Sequence, residues 1–336
     1  VTASTVHGCF IFFEEILQCE KGDIPLENIK VGTCSWTDRT LLASGWYPKT
    51  SRNAAGMLGY YASRFNTVEV DSTFYAIPDE GMIYNWIARS PSDFKFNIKA
   101  YGIFTFHSVW FSSLPPWLKK EIKGGDNNRR IRFSDIPRSL RLELWHRFER
   151  VISPLHKTGK MGYMLFQLPP WAVFSDRMIR YMGRVAEIAC DFRIALEVRN
   201  STWLAGDNRK AFLDLLRNFN IAYVVVDEPD LDWTVRPEVH LTSTWGSVIR
   251  FHGRNTDAWS RKDTSVQERF RYLYNESELI PWKNSILDIA SDVGTVYAMF
   301  NNCYRNYAVK NAEGLKRLMG MDTPGETGVQ GDLGLV

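Results

Sequence analysis

Eight short runs of β-branched, aromatic and aliphatic residues punctuate the chain, and each closes on polar residues. They are "VGTCSW" from Val31, "TVEVDST" from Thr67, "FKFNIKA" from Phe94, "GYMLFQL" from Gly162, "RIALEVR" from Arg193, "IAYVVVD" from Ile221, "VIRFHGR" from Val248 and "TVYAMFN" from Thr295. Their length and composition predict strands. Between them, apolar residues recur at three- and four-residue spacing, which predicts helices. "NAAGMLGYYASRF", "GMIYNWIARS", "DRMIRYMGRVAEIA" and "RKAFLDLLRNF" follow the first, second, fourth and fifth runs. "TSVQERFRYLYN" and "NSILDIASD" follow the seventh, and "YAVKNAEGLKRLM" follows the eighth. Strand and helix thus alternate eight times from Val31 to Met319, the pattern of a single-domain α/β (β/α)8 barrel, with an open doubly wound sheet as the alternative.

Two connections break the rhythm. From Ile103 to Lys160 a long insertion precedes the helical "RLELWHRFERVISPLH", and after the sixth strand "EPDLDWTVRPEVHLTSTWGS" carries no helical period. Residues 1–30, opening on Val1, read as an N-terminal extension. The Gly-rich residues 320–336 read as a disordered tail.

In such a barrel the C-terminal strand ends carry the chemistry, and here they are polar. In "TVEVDST", Val68 and Val70 suit the outer face toward helices, which turns Glu69 and Asp71 inward near the mouth. Lys99, Gln167, Glu197, Arg199, Asp227, Arg250, His252, Arg254, Asn301 and Asn302 occupy comparable positions on other strands, with His107 just beyond the third. Burying acids is costly unless they are paired, so Glu69, Asp71, Glu197 and Asp227 are expected to meet Lys99, Arg199 and Arg250. Such a ring can shift pKa values for proton transfer. It can equally be structural, with Glu69–Lys99 and Glu197–Arg250 as inert ion pairs. Trp36 and Trp203 are candidates to cover a ligand's apolar face, although Trp203 also suits core packing.

Composition adds three constraints. A hydrophobic content of 45%, with no apolar run long enough to span a bilayer, excludes a membrane-spanning helical class. Five scattered cysteines without a C-x-x-C pair point to a reduced, cytoplasmic protein rather than a disulfide or zinc scaffold. No cofactor is expected. A divalent ion on strand-end carboxylates is conceivable, but no metal-ligand spacing supports it, and Lys and Arg compete for the same oxygens. The net charge of +3 is mild, yet Lys119 to Arg150 holds ten Lys/Arg against five acids, with Trp117, Phe133 and Trp145 interleaved. That stretch is either a solvated charged face or a lid that grips a nucleic-acid backbone.

The segments "GTCSWTD", "YYASRFNTVEVDSTFYAIP", "FKFNIKA", "LFQLPPW", "ALEVRNSTWL", "YVVVDEP", "RFHGRN" and "MFNNCYRNYAVKNA" resemble, in order, the YecE-like family, a domain of unknown function (DUF72). The resemblance runs from Val31 to Met319 and implies a TIM barrel. It brings no established activity. The implied fold is similar to that of xylose isomerase and endonuclease-four barrels, which suggests nucleic-acid binding, although their set of His and acid metal ligands is not evident in this chain. Asp71 stands where many family members carry Asn.

The sequence therefore predicts, first, a metal-independent acid/base enzyme (a hydrolase, lyase or isomerase) acting on a small polar, phosphorylated or sugar-like ligand. Glu69 and Glu197 would be its proton-transfer pair, with Asp71 and Asp227 orienting and Lys99, Arg199, Arg250 and His252 holding anionic oxygens or developing charge. A nucleic-acid-binding protein or phosphodiesterase using the basic insertion is the second reading, and a non-catalytic small-molecule sensor the third. Oligomeric state is not legible from the chain.

Overall fold

The computed structural model describes residues 26–122 and 126–321. The expected extension and tail therefore lie outside the described residues, apart from Leu26–Lys30, which lead into the first strand, and Gly320–Met321. Ten strands are formed among the described residues: β1 (Ile29–Thr33), β2 (Thr67–Val70), β3 (Lys95–Lys99), β4 (Val109–Trp110), β5 (Arg130–Ile131), β6 (Met161–Gln167), β7 (Ile194–Glu197), β8 (Ala222–Asp227), β9 (Ser247–Phe251) and β10 (Val296–Phe300). All eight apolar runs of the sequence become parallel strands of one closed barrel, ordered β1-β10-β9-β8-β7-β6-β3-β2. β4 and β5 make a separate antiparallel ribbon inside the insertion.

The alternation of side chains sorts the strands into two cores. Val68, Val70, Phe96, Ile98, Phe166 and Phe251 face the surrounding helices, while Tyr163, Leu165, Tyr297 and Met299 fill the axis. An irregularity between β3 and β6 changes which side chains reach that axis. Phe96 pairs with Met161 but Ile98 pairs with Met164, so β6 carries an extra residue opposite Asn97. Gly162 occupies the bulge because a Cβ there would lie 2.1 Å from Asn97 Oδ1. The bulge sends Tyr163, Leu165 and Gln167 to the interior.

Helices begin where the sequence offers a cap. Asn53 accepts from Gly56 N at the start of Ala54–Ala62, Asp79 from Met82 N at Glu80–Ala88, and Ser175 from Met178 N at Asp176–Ile188. Asn275 and Glu278 form a reciprocal capping box that opens Glu276–Ala290. This cap also explains a departure from expectation. Of "TSVQERFRYLYN", only Val266–Arg269 is helical, because the following residues turn so that Tyr272 reaches Glu278 and Tyr274 N reaches Asn311. The segment between β8 and β9 has no helix, as its sequence suggests. It is closed instead by hydroxyl bridges, with Thr242 Oγ1 accepting from Tyr223 N and donating to Ile221 O.

The insertion is anchored rather than free. Leu114, Leu118, Ile122, Ile131 and Ile136 are buried, and the long helix Arg138–Lys157 covers the barrel with Leu144, Trp145, Phe148, Ile152 and Leu155. Several of its arginines are already engaged: Arg130 bonds Ser108 and lies over Trp110, and Arg147 bonds Glu143 and lies over Trp117. Among the described residues, no helix is long and apolar enough to cross a membrane.

At the N-terminal face, the Lys160 ammonium is held by Ile87 O, Ser90 O, Ser90 Oγ and Pro91 O at 2.7–2.9 Å. It thereby caps the C-terminal end of Glu80–Ala88, where carbonyls are unpaired and a cation is favoured. Replacing it by the apolar Lys160→Met leaves those acceptors unpaired. The urea midpoint should fall by the equivalent of about 2–3 kcal/mol with an unchanged slope.

Candidate functional site

Arg250 is the centre of the barrel's upper interior. It projects inward from β9, wholly buried, with one guanidinium nitrogen on Glu69 Oε1 at 2.6 Å and the other on Glu197 Oε2. The nitrogen facing Glu197 also donates to Gln167 Oε1 at 3.1 Å, and the one facing Glu69 sits 3.6 Å from the Cys34 sulfur. Tyr163, placed inside by the β6 bulge, donates to the second oxygen of Glu69 at 3.2 Å. The inward direction expected for Glu69 is thus the observed one, but its partner is Arg250 rather than Lys99.

Above this layer lies the mouth. Lys99 Nζ stands 3.3 Å from Asp71 Oδ1 and 4.8 Å from the Phe74 ring centroid. Across the opening, Arg199 bridges two acids, reaching Glu197 Oε1 at 3.3 Å and Glu228 Oε2 at 2.9 Å, with its guanidinium over Trp259. Asp71 is the most open of these groups, its side chain 24% exposed; Lys99 and Arg199 show 11% and 7%. Gln167 is half-buried beside Arg250, and Asn301 is buried against His252.

His252 is wholly buried and its tautomer follows from its partners. Its Nδ1 accepts from the Asn301 amide at 2.8 Å, so its Nε2 carries the hydrogen donated to Glu197 Oε1 at 3.2 Å. Burial, with Arg199 and Arg250 nearby, pulls its pKa down to about 3 against the pull of Glu197. His107 bonds Thr105 Oγ1 and packs on Phe74; burial and Lys99 lower it to about 4. Both imidazoles are therefore neutral at pH 7.

The carboxyls separate in the opposite sense. Burial raises Glu197, but Arg250, His252 and Arg199 outweigh it and hold that acid well below the usual range. For Glu69, burial and the neighbouring Asp71 prevail over Arg250 and Lys99, and its pKa is raised. Burial and Glu197 push Glu228 up to about 7 despite Arg199. Lys99, drawn down by burial, is returned upward by Asp71, which disfavours the neutral amine a Schiff base requires. Burial beside Glu69 raises Cys34 well above its ordinary value, so it is a thiol and not a thiolate.

Several candidates lie elsewhere. Asp227 was expected inward, but its strand pairing with Phe251 puts it on the outer face, where Trp282 Nε1 donates to it at 2.6 Å and Arg254 binds both of its oxygens. Arg254 therefore also leaves the ring. Trp36 packs edge-on against Trp86 and Phe96 behind β3, and Trp203 donates to Ala172 O among Phe174 and Phe212. Neither tryptophan meets the mouth. Asn302 belongs to a structural network with Asn311 and Tyr272 O. Missed in the sequence were Glu228, one residue beyond Asp227, together with Tyr163 and Trp259. Only the first had a readable signal, the second acid of "VVVDEP".

Among the described residues, no three or more His, Cys, Asp and Glu side chains are grouped to hold a metal ion. The oxygens of Glu69 and Glu197 are directed at Arg250 instead.

Removing Arg250 leaves two buried carboxyls without their cation. Arg250→Met should cost about 3–5 kcal/mol in chemical denaturation, and Glu69→Gln/Arg250→Met/Glu197→Gln should recover a large part of that loss. Equal midpoints for the single and triple variants would mean that lost packing, not stranded charge, sets the cost.

Known proteins share both the sequence and the barrel. The UPF0759 protein YunF of Bacillus subtilis (strain 168) is 26% identical over 309 residues, covering 91% of this chain and 99% of that protein. The crystal structure of a DUF72 family protein from Enterococcus faecalis V583 superposes with a TM-score of 0.71 at 23% identity, covering 88% and 96% of the two chains, which supports the fold. That of a DUF72 family protein from Thermotoga maritima MSB8 gives a TM-score of 0.68 at 27% identity, over 87% and 99%. The model of the family described as "Protein of unknown function DUF72" matches residues 30–330, and the chain belongs to that family.

Proposed function

We propose that the barrel mouth is the active site of an enzyme that moves protons on a small polar substrate bearing an oxyanion. The carrying observation is a charge count. Glu69, Asp71, Glu197 and Glu228 converge under one opening with, among the described residues, only Lys99, Arg199 and Arg250 as cations, since both histidines are neutral. Fully ionised, the cluster would carry an uncompensated buried charge, and retaining one proton on a carboxyl removes it. The two acids raised by burial, Glu69 and Glu228, flank Glu197, which is held ionised. Acid and base forms of the same group type, kept apart by environment, are what proton transfer near neutral pH requires.

In this reading Lys99, Arg199, Gln167 and Asn301 receive the oxyanion and polar groups at the water's edge, with Asp71 orienting Lys99. Glu69, below them, supplies the proton from Oε2, whose hydroxyl in the protonated form donates to the Tyr163 oxygen while Oε1 stays on Arg250. The chain's own groups suffice for this chemistry without a resident metal, as two carboxylates are already held by guanidinium. The free thiols Cys34, Cys190 and Cys303 support a reducing, cytoplasmic setting.

The test is a thermal-shift screen of sugar phosphates and other small anions at two salt concentrations, with a chelator control, followed by turnover assays on whatever binds. A salt-tolerant, chelator-insensitive rise in Tm should appear with one ligand class. Glu69→Gln should retain that shift and lose turnover by about a hundredfold or more; undiminished turnover removes Glu69 from the chemistry. Lys99→Gln should lose the shift itself.

Glu228 adds a pH signature. Its folded pKa, about 7, lies above the ordinary 4.5, so the stability it contributes is present below pH 4.5 and lost as pH rises through 7. Glu228→Gln, which stays uncharged, should flatten the decline in Tm between pH 5 and 7 relative to the unaltered protein. A parallel pair of curves would place the retained proton elsewhere.

A further inference from the structure

Outside the strand ring, a groove of about 1220 Å³ separates the helix Arg138–Lys157 from the helix Asp176–Ile188. Arg132, Arg138 and Arg141 stand on one wall and Arg177, Arg180 and Arg184 on the other, and among the described residues no Asp or Glu lines it. None of the six is in an ion pair with a carboxylate among the described residues. Arginines at 177, 180 and 184 recur on one helical face, a spacing at which like charges repel. The chain accepts that repulsion on both walls of one cleft, which an anionic occupant would relieve.

The apolar part of the groove narrows the occupant's chemistry. Its floor is aromatic, with Phe104, Trp145 and Phe166, and Trp171 projects at the rim with 64% of its surface exposed. Phe133 is already covered by Arg141, 4.5 Å from its centroid, whereas the ring of Trp171 is open. Repeated guanidinium groups beside a free aromatic face match a ligand with regularly spaced phosphates and flat rings. An acidic peptide would answer the charge but leave the ring unused. A bilayer is flat and would not enter a concave cleft. A duplex, with its phosphates on a broad convex surface, fits a gap between two helices poorly.

We infer that this groove binds single-stranded nucleic acid, its phosphates on the six arginines and a base stacked on Trp171. The groove is distinct from the barrel mouth and does not depend on what the mouth does. It also reassigns the basic insertion: Arg130 and Arg147 are engaged within the fold and Arg141 is held by Ile136 O and Phe133 with its terminal nitrogens toward the groove, while Arg132 and Arg138 join it and three arginines from a later helix.

The experiment is fluorescence anisotropy of a short fluorescein-labelled oligodeoxythymidine across a potassium chloride series, using the full chain. Binding should weaken steeply with salt. In Arg177→Gln/Arg180→Gln/Arg184→Gln, the slope of log affinity against log salt should shrink by about 0.7 for each arginine replaced. Trp171→Ala should weaken binding about tenfold with an unchanged melting temperature. The same-length duplex should bind less well, and vesicles containing phosphatidylserine should not compete. No binding at low salt, wild-type slopes in the arginine variant, or vesicles displacing the oligonucleotide would each overturn the assignment.

Discussion

A guanidinium held between two carboxylates in a place water does not reach is the constraint around which this barrel is arranged. Arg250 cannot shed its charge, and neither Glu69 nor Glu197 has solvent to fall back on. Most of the remaining hydrogen-bonding positions are supplied by neighbouring strands, Arg250 Nε being the one left without a hydrogen bond among the described residues. Tyr163 serves Glu69, Gln167 serves Arg250, and His252 and Arg199 serve Glu197. Once these are in place, the next ring outward is set as well: Asn301 fixes the tautomer of His252, and Glu228 balances Arg199. Such a network adds little net stability over an apolar core, but it permits very few alternative arrangements.

Around this interior, the fold leaves its periphery to conventional means. Two lysines close helix C-termini at the opposite end of the barrel from the site, Lys160 on Ile87–Pro91 and Lys316 on Arg64 O. The section between β8 and β9, where no helix covers the sheet, is sealed by threonine and serine hydroxyls. The insertion and the β8–β9 and β9–β10 connections supply the groove's first wall, Glu228 and Trp259.

How much of this was legible depended on whether a segment's two faces differ chemically. "TVEVDST" alternates, so the direction of Glu69 could be read directly. "IAYVVVDEP" does not: Tyr223, Val224, Val225 and Val226 suit either core, and nothing local tells whether Asp227 or Glu228 turns inward. Register with β9 decides it, because Asp227 pairs with the outward Phe251. Trp36 and Trp203 misled for a related reason, since a tryptophan beside a strand end can fold back over the outer core as easily as over the mouth. The groove was half visible. The run from Lys119 to Arg150 stood out in charge, but Arg177, Arg180 and Arg184 lie in a separate amphipathic helix that only tertiary packing brings opposite.

The glycine bulge in β6 is, at bottom, a matter of phase. The strand slips by one residue at Gly162 before its alternation resumes. Everything downstream on that strand has therefore exchanged its inside and outside identities relative to a bulge-free sequence. Tyr163, Leu165 and Gln167 are interior residues only because of a single added position. In such an architecture a one-residue insertion acts as a coding operation, relabelling a whole strand at once. It offers a lineage a way to install several new interior groups in one event, where point substitutions would have had to pass through buried, half-paired intermediates.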